Sequence, residues 1–234
     1  MASSKPQIQI CEVGPRDGLQ SEERIWSVDE RVGLIDRLSA TGVPRLEAVS
    51  FVNPKRVPQM ADAEEVMAKI KRPAGVSFAG LALNVRGAER AIAAGVDEVR
   101  YVVVASETFN QRNQGASIAE TLAGFAEISD KVSAAGLKLS ATIGAAFGCP
   151  FEGKVAATKV ANIAGQLAAG GCAEIGMADT IGAGVPTQVT EIYSLVHDAV
   201  GAEVGLGFHL HNTRNTGFAN AAIAAGEGVL FLDS

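Results

Sequence analysis

The sequence predicts an α/β fold, a (β/α)8 TIM barrel, and three observations carry that expectation. A short pattern recurs along the chain, a helix-like segment ending in alanine and glycine followed by an apolar, β-prone run: "ATGVPRLEAVS", "AAGVDEVRYVVV", "AAGLKLSATI", "AGGCAEIGMAD" and "AAGEGVLFLDS". The runs are nearly continuous in apolar character, as strands are when helices cover both faces of a parallel sheet. Eight such runs alternate with seven recognisable helical segments, the count of a barrel; a doubly wound open sheet is the runner-up.

The strands are expected near residues 7–13, 46–52, 76–83, 98–105, 138–144, 173–178, 205–211 and 228–233. The segments between them behave as helices. Ser27 with Glu30, and Ser117 with Glu120, match the Ser-x-x-Glu capping box, and Val28, Val32, Ile35 and Leu38 follow at spacings that make one apolar stripe. Gly42, Gly95, Gly136, Gly171 and Gly226 stand where a left-handed residue closes a helix, so each marks a helix-to-strand junction. No linker or low-complexity tract interrupts the pattern, and residues 1–234 read as one barrel domain. The chain stops at Ser234, directly after the eighth strand, so the closing loop and helix of a complete barrel are expected to be missing.

Length and composition narrow the function. The 234 residues, 47% of them hydrophobic, suffice to bury a substantial core. Twenty basic residues against 26 acidic ones give a net charge of -6, which offers nothing to a polyanion, so nucleic acid is not an expected partner. The start "MASSKPQIQICEVG" lacks the apolar run of a secretory signal, and no segment approaches the roughly 20 apolar residues of a membrane span, so a soluble, cytoplasmic protein is expected. Cys11, Cys149 and Cys172 are odd in number and far apart, which fits neither a disulfide framework nor a zinc knuckle; each is expected to be a small apolar residue in or near the core.

In a barrel of this kind the active site lies at the C-terminal ends of the strands. There the first strand runs into Arg16, Asp17 and Gln20, the second carries Glu47 and Ser50, the sixth ends in Asp179 and Thr180, and the seventh ends in His209-Leu210-His211. Side chains two apart on a strand point the same way, so both imidazoles can converge on one point while Leu210 packs outward. Two imidazoles and a carboxylate, Asp17 being the best placed, make a ligand set for a divalent cation with positions open for substrate. Two histidines satisfied by backbone carbonyls at a strand end would leave the same sequence. Arg16 beside Asp17 is open in the same way. The pair is either a solvated ion pair or, fixed by Gly14-Pro15 and Gly18, a guanidinium able to stabilise a developing oxyanion. His197, in "EIYSLVHDAV", reads as an ordinary, partly exposed helix residue.

The stretches "EVGPRDGLQ", "SFVNPKRVPQMAD", "FGCPFEGK", "ADTIGAGVP" and "HLHNTRNTGFAN" resemble, in order, the successive motifs of the 3-hydroxy-3-methylglutaryl-CoA lyases, members of a metal-dependent lyase and Claisen-condensing barrel superfamily. The resemblance runs from residue 8 to 234. It implies retro-Claisen cleavage of a branched 3-hydroxyacyl-CoA to a keto acid and acetyl-CoA, with Mg2+ or Mn2+ held by Asp17, His209 and His211. It also implies an enolate stabilised by Arg16, and site-lining, proton-relaying roles for Glu47 and Asp179. Gln20, Ser50 and Thr180 are the expected substrate contacts, an acyl-CoA the expected partner, and a homodimer the expected assembly.

The sequence departs from the family pattern at several places. Asn212 stands where the lyases usually have aspartate, as in the condensing branch, so a Claisen-type synthase is one alternative; a non-catalytic barrel fragment is another. Asn53 replaces a common serine, and Thr142 an aromatic residue that often lines the acyl pocket, so citramalyl-CoA and longer-branched esters are alternative substrates. The family's loop after the eighth strand carries a cysteine implicated in proton transfer, and farther on an asparagine that completes the metal site; both positions lie beyond Ser234. The 234-residue chain by itself is therefore expected to bind metal weakly and turn over poorly. Lys55 and Arg56 are available for the coenzyme phosphates, or are solvated surface charges.

Overall fold

A computed structural model describes residues 8–234. Eight parallel strands close into a barrel in sequence order: β1 (Gln9–Glu12), β2 (Arg45–Ser50), β3 (Ser77–Ala82), β4 (Glu98–Val104), β5 (Lys138–Gly144), β6 (Glu174–Asp179), β7 (Gly205–Leu210) and β8 (Phe231–Asp233). The open-sheet alternative is thereby set aside. Closure between first and last strands is made by backbone bonds from Gln9 N–H to the Leu230 carbonyl, Val13 N–H to that of Ser234, and Ser234 N–H to that of Cys11, each 2.9 Å.

The helices are α1 (Val28–Ser39), α2 (Ala63–Lys69), α3 (Val85–Ala93), α4 (Glu107–Gln114), α5 (Ile118–Ala134), α6 (Ala157–Ala169), α7 (Pro186–Val200) and α8 (Gly217–Glu227). Both capping boxes form: Glu30 N–H donates to Ser27 Oγ at 3.3 Å while Ser27 N–H donates to Glu30 at 2.9 Å, and Ser117 and Glu120 repeat the exchange at 3.1 and 2.8 Å. The expected connection between the fourth and fifth strands holds two helices rather than one. Ser106, whose Oγ accepts from Phe109 N–H, starts α4, and left-handed Gly115 ends it just ahead of the second capping box.

Three further expectations are corrected. Gly42, Gly95, Gly136 and Gly171 do take positive φ, but Gly226 lies inside α8 and Gly228, at φ 94°, closes that helix instead. With the helix prolonged, β8 begins at Phe231 rather than near 228. On α1, Ile35 is buried, but Val28, Val32 and Leu38 are only half-buried, and the stripe's fully buried members include Arg31 and Ser39. Arg31 donates from Nη1 to the Ala61 carbonyl at 2.6 Å, so α1 holds the loop before α2 by a charged hydrogen bond rather than by an apolar seam.

Tertiary contacts gather into two compact units. One comprises Ile10–Tyr101 and Glu127–Leu139. Its core is built from Leu46, Val49, Phe78, Val99 and Tyr101 on strands and Ile35, Ile128 and Val132 on helices. Threaded among them is a line of charge, buried but for half-buried Lys138: Arg45 Nη1 to Glu98 Oε2 at 3.1 Å, Lys138 Nζ to the same oxygen at 3.5 Å, and Arg100 Nη1 to Glu47 Oε2 at 3.1 Å. Buried charges persist only when paired in this way.

The other unit comprises Val102–Ala126 and Ser140–Asp233. Ile143, Ile175, Met177, Phe208 and Phe231 on strands, with Val160, Leu167, Val189 and Ile192 on α6 and α7, fill its interior. Glycines make room for the Phe231 ring. A Cβ at Gly207 would lie 2.6 Å from three ring atoms, and one at Gly176 would lie 3.4 Å away. The register places Gly207 beside both Gly176 and Phe231, so the ring rests on two strands that carry no side chain beneath it.

Candidate metal centre

Directly after β1 the chain makes one π-helical turn, Gly14–Gly18. Asp17 N–H reaches back to the Val13 carbonyl at 2.7 Å, and Glu12 Oε1 accepts Gly14 N–H at 2.7 Å. Pro15, buried, supplies a fixed φ at the position where a helix has no use for the missing N–H. This turn fixes Arg16 and Asp17 at the end of the strand. Arg16 is gripped by Glu47 through Nε to Oε1 at 2.7 Å and Nη2 to Oε2 at 3.2 Å, and its Nη1 donates to Asp17 Oδ1 at 2.7 Å. Burial works against the guanidinium charge, but Glu47 and then Asp17 outweigh it and raise the Arg16 pKa, with Arg100 opposing slightly. Arg16 is thus a fixed, permanently charged donor and not a solvated surface cation.

At the end of β7, His209 and His211 point their Nε2 atoms at each other, 2.9 Å apart. Their other nitrogens face hydrogen-bond acceptors: His211 Nδ1 lies 2.8 Å from the Thr180 carbonyl, and His209 Nδ1 lies 3.2 Å from Asp233 Oδ2. With a proton on each Nδ1 for those acceptors, each Nε2 would turn a lone pair toward the other. Two lone pairs at that distance repel unless a proton or a cation lies between them. Asp17, His209 and His211 each offer a ligand atom, and the three atoms lie within 4.8 Å of one another. Two imidazole nitrogens and one carboxylate oxygen make a donor set for a divalent cation. His211 Nδ1 thus faces a backbone carbonyl, while His209 Nδ1 faces a carboxylate.

The remaining expected residues fall outside that cluster. Glu47, fully buried, has one oxygen on Arg16 and the other shared between Arg16 and Arg100. Asp179 is also fully buried and accepts from Ala183 N–H at 3.0 Å and Gly184 N–H at 2.8 Å, folding the loop after β6 back on itself. The same loop is tied to α8 by Thr216 Oγ1 and Asn220 Nδ2, both donating to the Gly184 carbonyl. Thr180 Oγ1 accepts from Ala145 N–H at 2.9 Å, while its carbonyl orients His211. Ser50 is buried, and its hydroxyl has no hydrogen-bond partner among the described residues. Gln20 is half-buried just past the π-helical turn.

Other sequence features take structural roles. Asn212 Oδ1 accepts Gly217 N–H at 2.9 Å, so this side chain tethers the first turn of α8. Asn53 Oδ1 accepts Lys55 N–H at 3.0 Å and shapes the turn carrying Lys55 and Arg56, both exposed. All three cysteines are buried thiols outside any disulfide, as expected. Cys149 Sγ lies 2.9 Å from Ser106 Oγ and accepts from the N–H groups of Phe151 and Glu152, holding the turn at 149–153. His197 is exposed on α7 beside Asp198. Two residues that sequence reasoning passed over are Arg100 and Asp233. Their signal was a charged side chain in an otherwise apolar strand.

Among the described residues no helix is long and apolar enough to cross a membrane. The sequence pattern of the HMGL-like family matches residues 7–234. The mitochondrial hydroxymethylglutaryl-CoA lyase of Mus musculus is 40% identical over 234 residues, all of this chain and 72% of that protein. The (R)-citramalyl-CoA lyase of Chloroflexus aurantiacus is 42% identical over 237 residues, 97% of this chain and 74% of that protein. Among solved structures, an HMG-CoA lyase from Acinetobacter baumannii in complex with coenzyme A and 3-methylmalate superposes with a TM-score of 0.94 at 37% identity, covering 100% of this chain and 76% of that one.

Proposed function

Because the chain belongs to the HMGL-like family, and its relatives named above are carbon–carbon lyases, we propose that it cleaves a branched 3-hydroxyacyl-CoA of the 3-hydroxy-3-methylglutaryl-CoA type between C2 and C3. The products are acetyl-CoA and a keto acid, acetoacetate when the substrate is 3-hydroxy-3-methylglutaryl-CoA. The observation that carries this reading is the convergence of Asp17, His209 and His211 beside an arginine held rigid by two carboxylates.

Asp17, His209 and His211 would hold Mg2+ or Mn2+, which when bound supplies Lewis acidity and a template for a hydroxyl and a carboxylate. The rest is done by the chain. As the C2–C3 bond breaks, the 3-hydroxyl gives up its proton and its oxygen becomes the carbonyl of the keto acid; the electron pair of the broken bond moves into the thioester, and charge grows on the thioester oxygen until C2 takes up a proton and acetyl-CoA is released. Arg16, fixed by Glu47 and Asp17 before substrate arrives, meets that charge without reorganising. Glu47 cannot turn to abstract a proton without releasing Arg16, so its part in the reaction is to hold the guanidinium. The Thr180 carbonyl and Asp233 fix the tautomers of His211 and His209. Ser50, whose buried hydroxyl has no partner among the described residues, offers that hydroxyl to a polar group of the substrate. Asp179 shapes the Thr180 loop.

The identity to the citramalyl-CoA lyase matches that to the hydroxymethylglutaryl-CoA lyase, so the acyl group is decided by assay. Full-length protein is incubated with 3-hydroxy-3-methylglutaryl-CoA, citramalyl-CoA or a longer-branched ester, and acetyl-CoA release is followed with and without chelator. The expected outcome is release that chelation abolishes and added Mg2+ or Mn2+ restores, with D17N slowed by about 100-fold or more. Condensation of acetyl-CoA with a 2-keto acid in place of cleavage would assign the synthase activity, and no turnover in either direction would leave a non-catalytic barrel.

A further inference from the structure

Glu47 is approached from two sides. Arg16 grips it from the π-helical turn, and Arg100 of β4, only 2% exposed, donates from Nη1 to Oε2 at 3.1 Å, the oxygen that also accepts Arg16 Nη2. The other terminal nitrogen of Arg100 lies 3.7 Å from Glu98 Oε1 and donates to Cys11 Sγ at 3.5 Å. β2 and β4 are not adjacent strands. Glu47 sits in register with Ala79 of β3, and Ala79 with Glu98 of β4, so the long side chains of β2 and β4 meet across a methyl group.

Removing Arg100 alone would leave Glu47 and Glu98 with one buried cation fewer, but exchanging a whole buried ion pair for apolar residues, which would suit the strand "VRYVVV", is often neutral or stabilising. The pairing as a whole is therefore poorly explained by stability alone. Its effect is geometric. A carboxylate held only by Arg16 can rotate and carry the guanidinium with it, whereas one bonded from behind as well cannot.

We propose that Arg100 is a positioning residue, which fixes the Glu47 carboxylate and through it the guanidinium of Arg16. The proposal rests on the lyase reading insofar as Arg16 must face the charge developing on the thioester oxygen. Arg100 itself touches no substrate. It acts on a donor needed only in the transition state, so its loss lowers kcat and leaves KM nearly unchanged.

The test uses R100M, R100Q and R100K in the full-length protein. R100M should lower kcat by about 10- to 100-fold, with KM shifted by less than about threefold and Mn2+ affinity unchanged, and R100K should recover most of the loss. In an E47Q background, R100M should cost less than about twofold more, because the residue through which it acts is already impaired. If R100M does not fold, R100Q replaces it with the same expected result. A kcat within about twofold of wild type in R100M or R100Q, or an undiminished loss in the E47Q background, overturns the proposal. So does R100K folding with wild-type kcat while R100M and R100Q both fail to fold, since the charge would then serve the fold alone. A crystal structure of the folded variant needs no substrate: Arg16 should move by about 1 Å or more, a displacement large enough to matter for catalysis. If the wild-type protein cleaves none of the esters, the lyase reading falls while this comparison still decides the proposal, and an unmoved Arg16 overturns it.

Discussion

His209 and His211 are set by what lies behind them. The Thr180 carbonyl dictates the tautomer of one, and Asp233 that of the other. The spacing of the two histidines and the carboxylate at Asp17 were legible in the sequence because a strand alternates its side chains and a barrel places its chemistry at one end. The residues behind them were not legible, because only the register of β8 against β7 brings Asp233 to His209. Asp233 gives the next prediction. D233N keeps the shape but removes the charge that makes His209 a stronger ligand, so Mn2+ affinity should fall by about 10- to 100-fold, read by the electron paramagnetic resonance of free Mn2+. H197A, on the exposed face of α7, should leave that affinity unchanged. Equal Mn2+ binding by D233N and wild type would show that the contact does not tune the site.

At the scale of elements, local chemistry written in a few consecutive residues was the most readable. Ser27-x-x-Glu30 and Ser117-x-x-Glu120 predicted two helix starts, and both exchanges of hydrogen bonds are made. The extra helix α4 was missed because its short, polar sequence "ETFNQRNQ" has no apolar stripe; its evidence is the Ser106 cap and the closing Gly115. The end of α8 was misplaced by two residues because Gly226 and Gly228 are equally able to stop a helix, and sequence alone does not choose between them. The boxes carry a pH signature. The Ser117 N–H and then its hydroxyl lower the Glu120 pKa, and Ser27 does the same for Glu30. A depressed folded-state pKa means the carboxylate's contribution is present above the unfolded value of 4.5 and is lost as pH falls through the folded value. The double variant S27A/S117A should therefore melt about 2–4 °C below wild type at pH 7, and the gap should narrow as pH drops below the carboxylate range. A gap independent of pH would mean that the bonds between these serine hydroxyls and the carboxylates contribute nothing to the caps.

At the scale of the whole molecule, the closed barrel was read from recurrence and apolar continuity, but the exact fit of its interior was not. Phe231 lies over Gly176 and Gly207, and only coordinates reveal that those two glycines are spaces and not hinges. G207A puts a methyl group 2.6 Å from three ring atoms, so it should destabilise the fold by about 1–3 kcal/mol, and the smaller ring contact at Gly176 should make G176A milder. Chemical denaturation of the two variants checks the order.

The last expectation joins the cation to the fold. Its ligands come from the first strand's turn and the seventh strand, near opposite ends of the sequence, so an unfolded chain does not present them together. A cation that binds the folded state alone adds RT ln(1 + [L]/Kd) to stability, about 2.7 kcal/mol at a hundredfold excess over Kd. For a chain of 234 residues that corresponds to a rise in Tm of about 5–10 °C, reversed by chelator. H211A should melt near the metal-free wild type and show no rise with Mn2+, since it loses one of three ligands without disturbing the barrel. A rise of equal size in H211A would place the cation elsewhere and remove the ground on which the lyase reading stands.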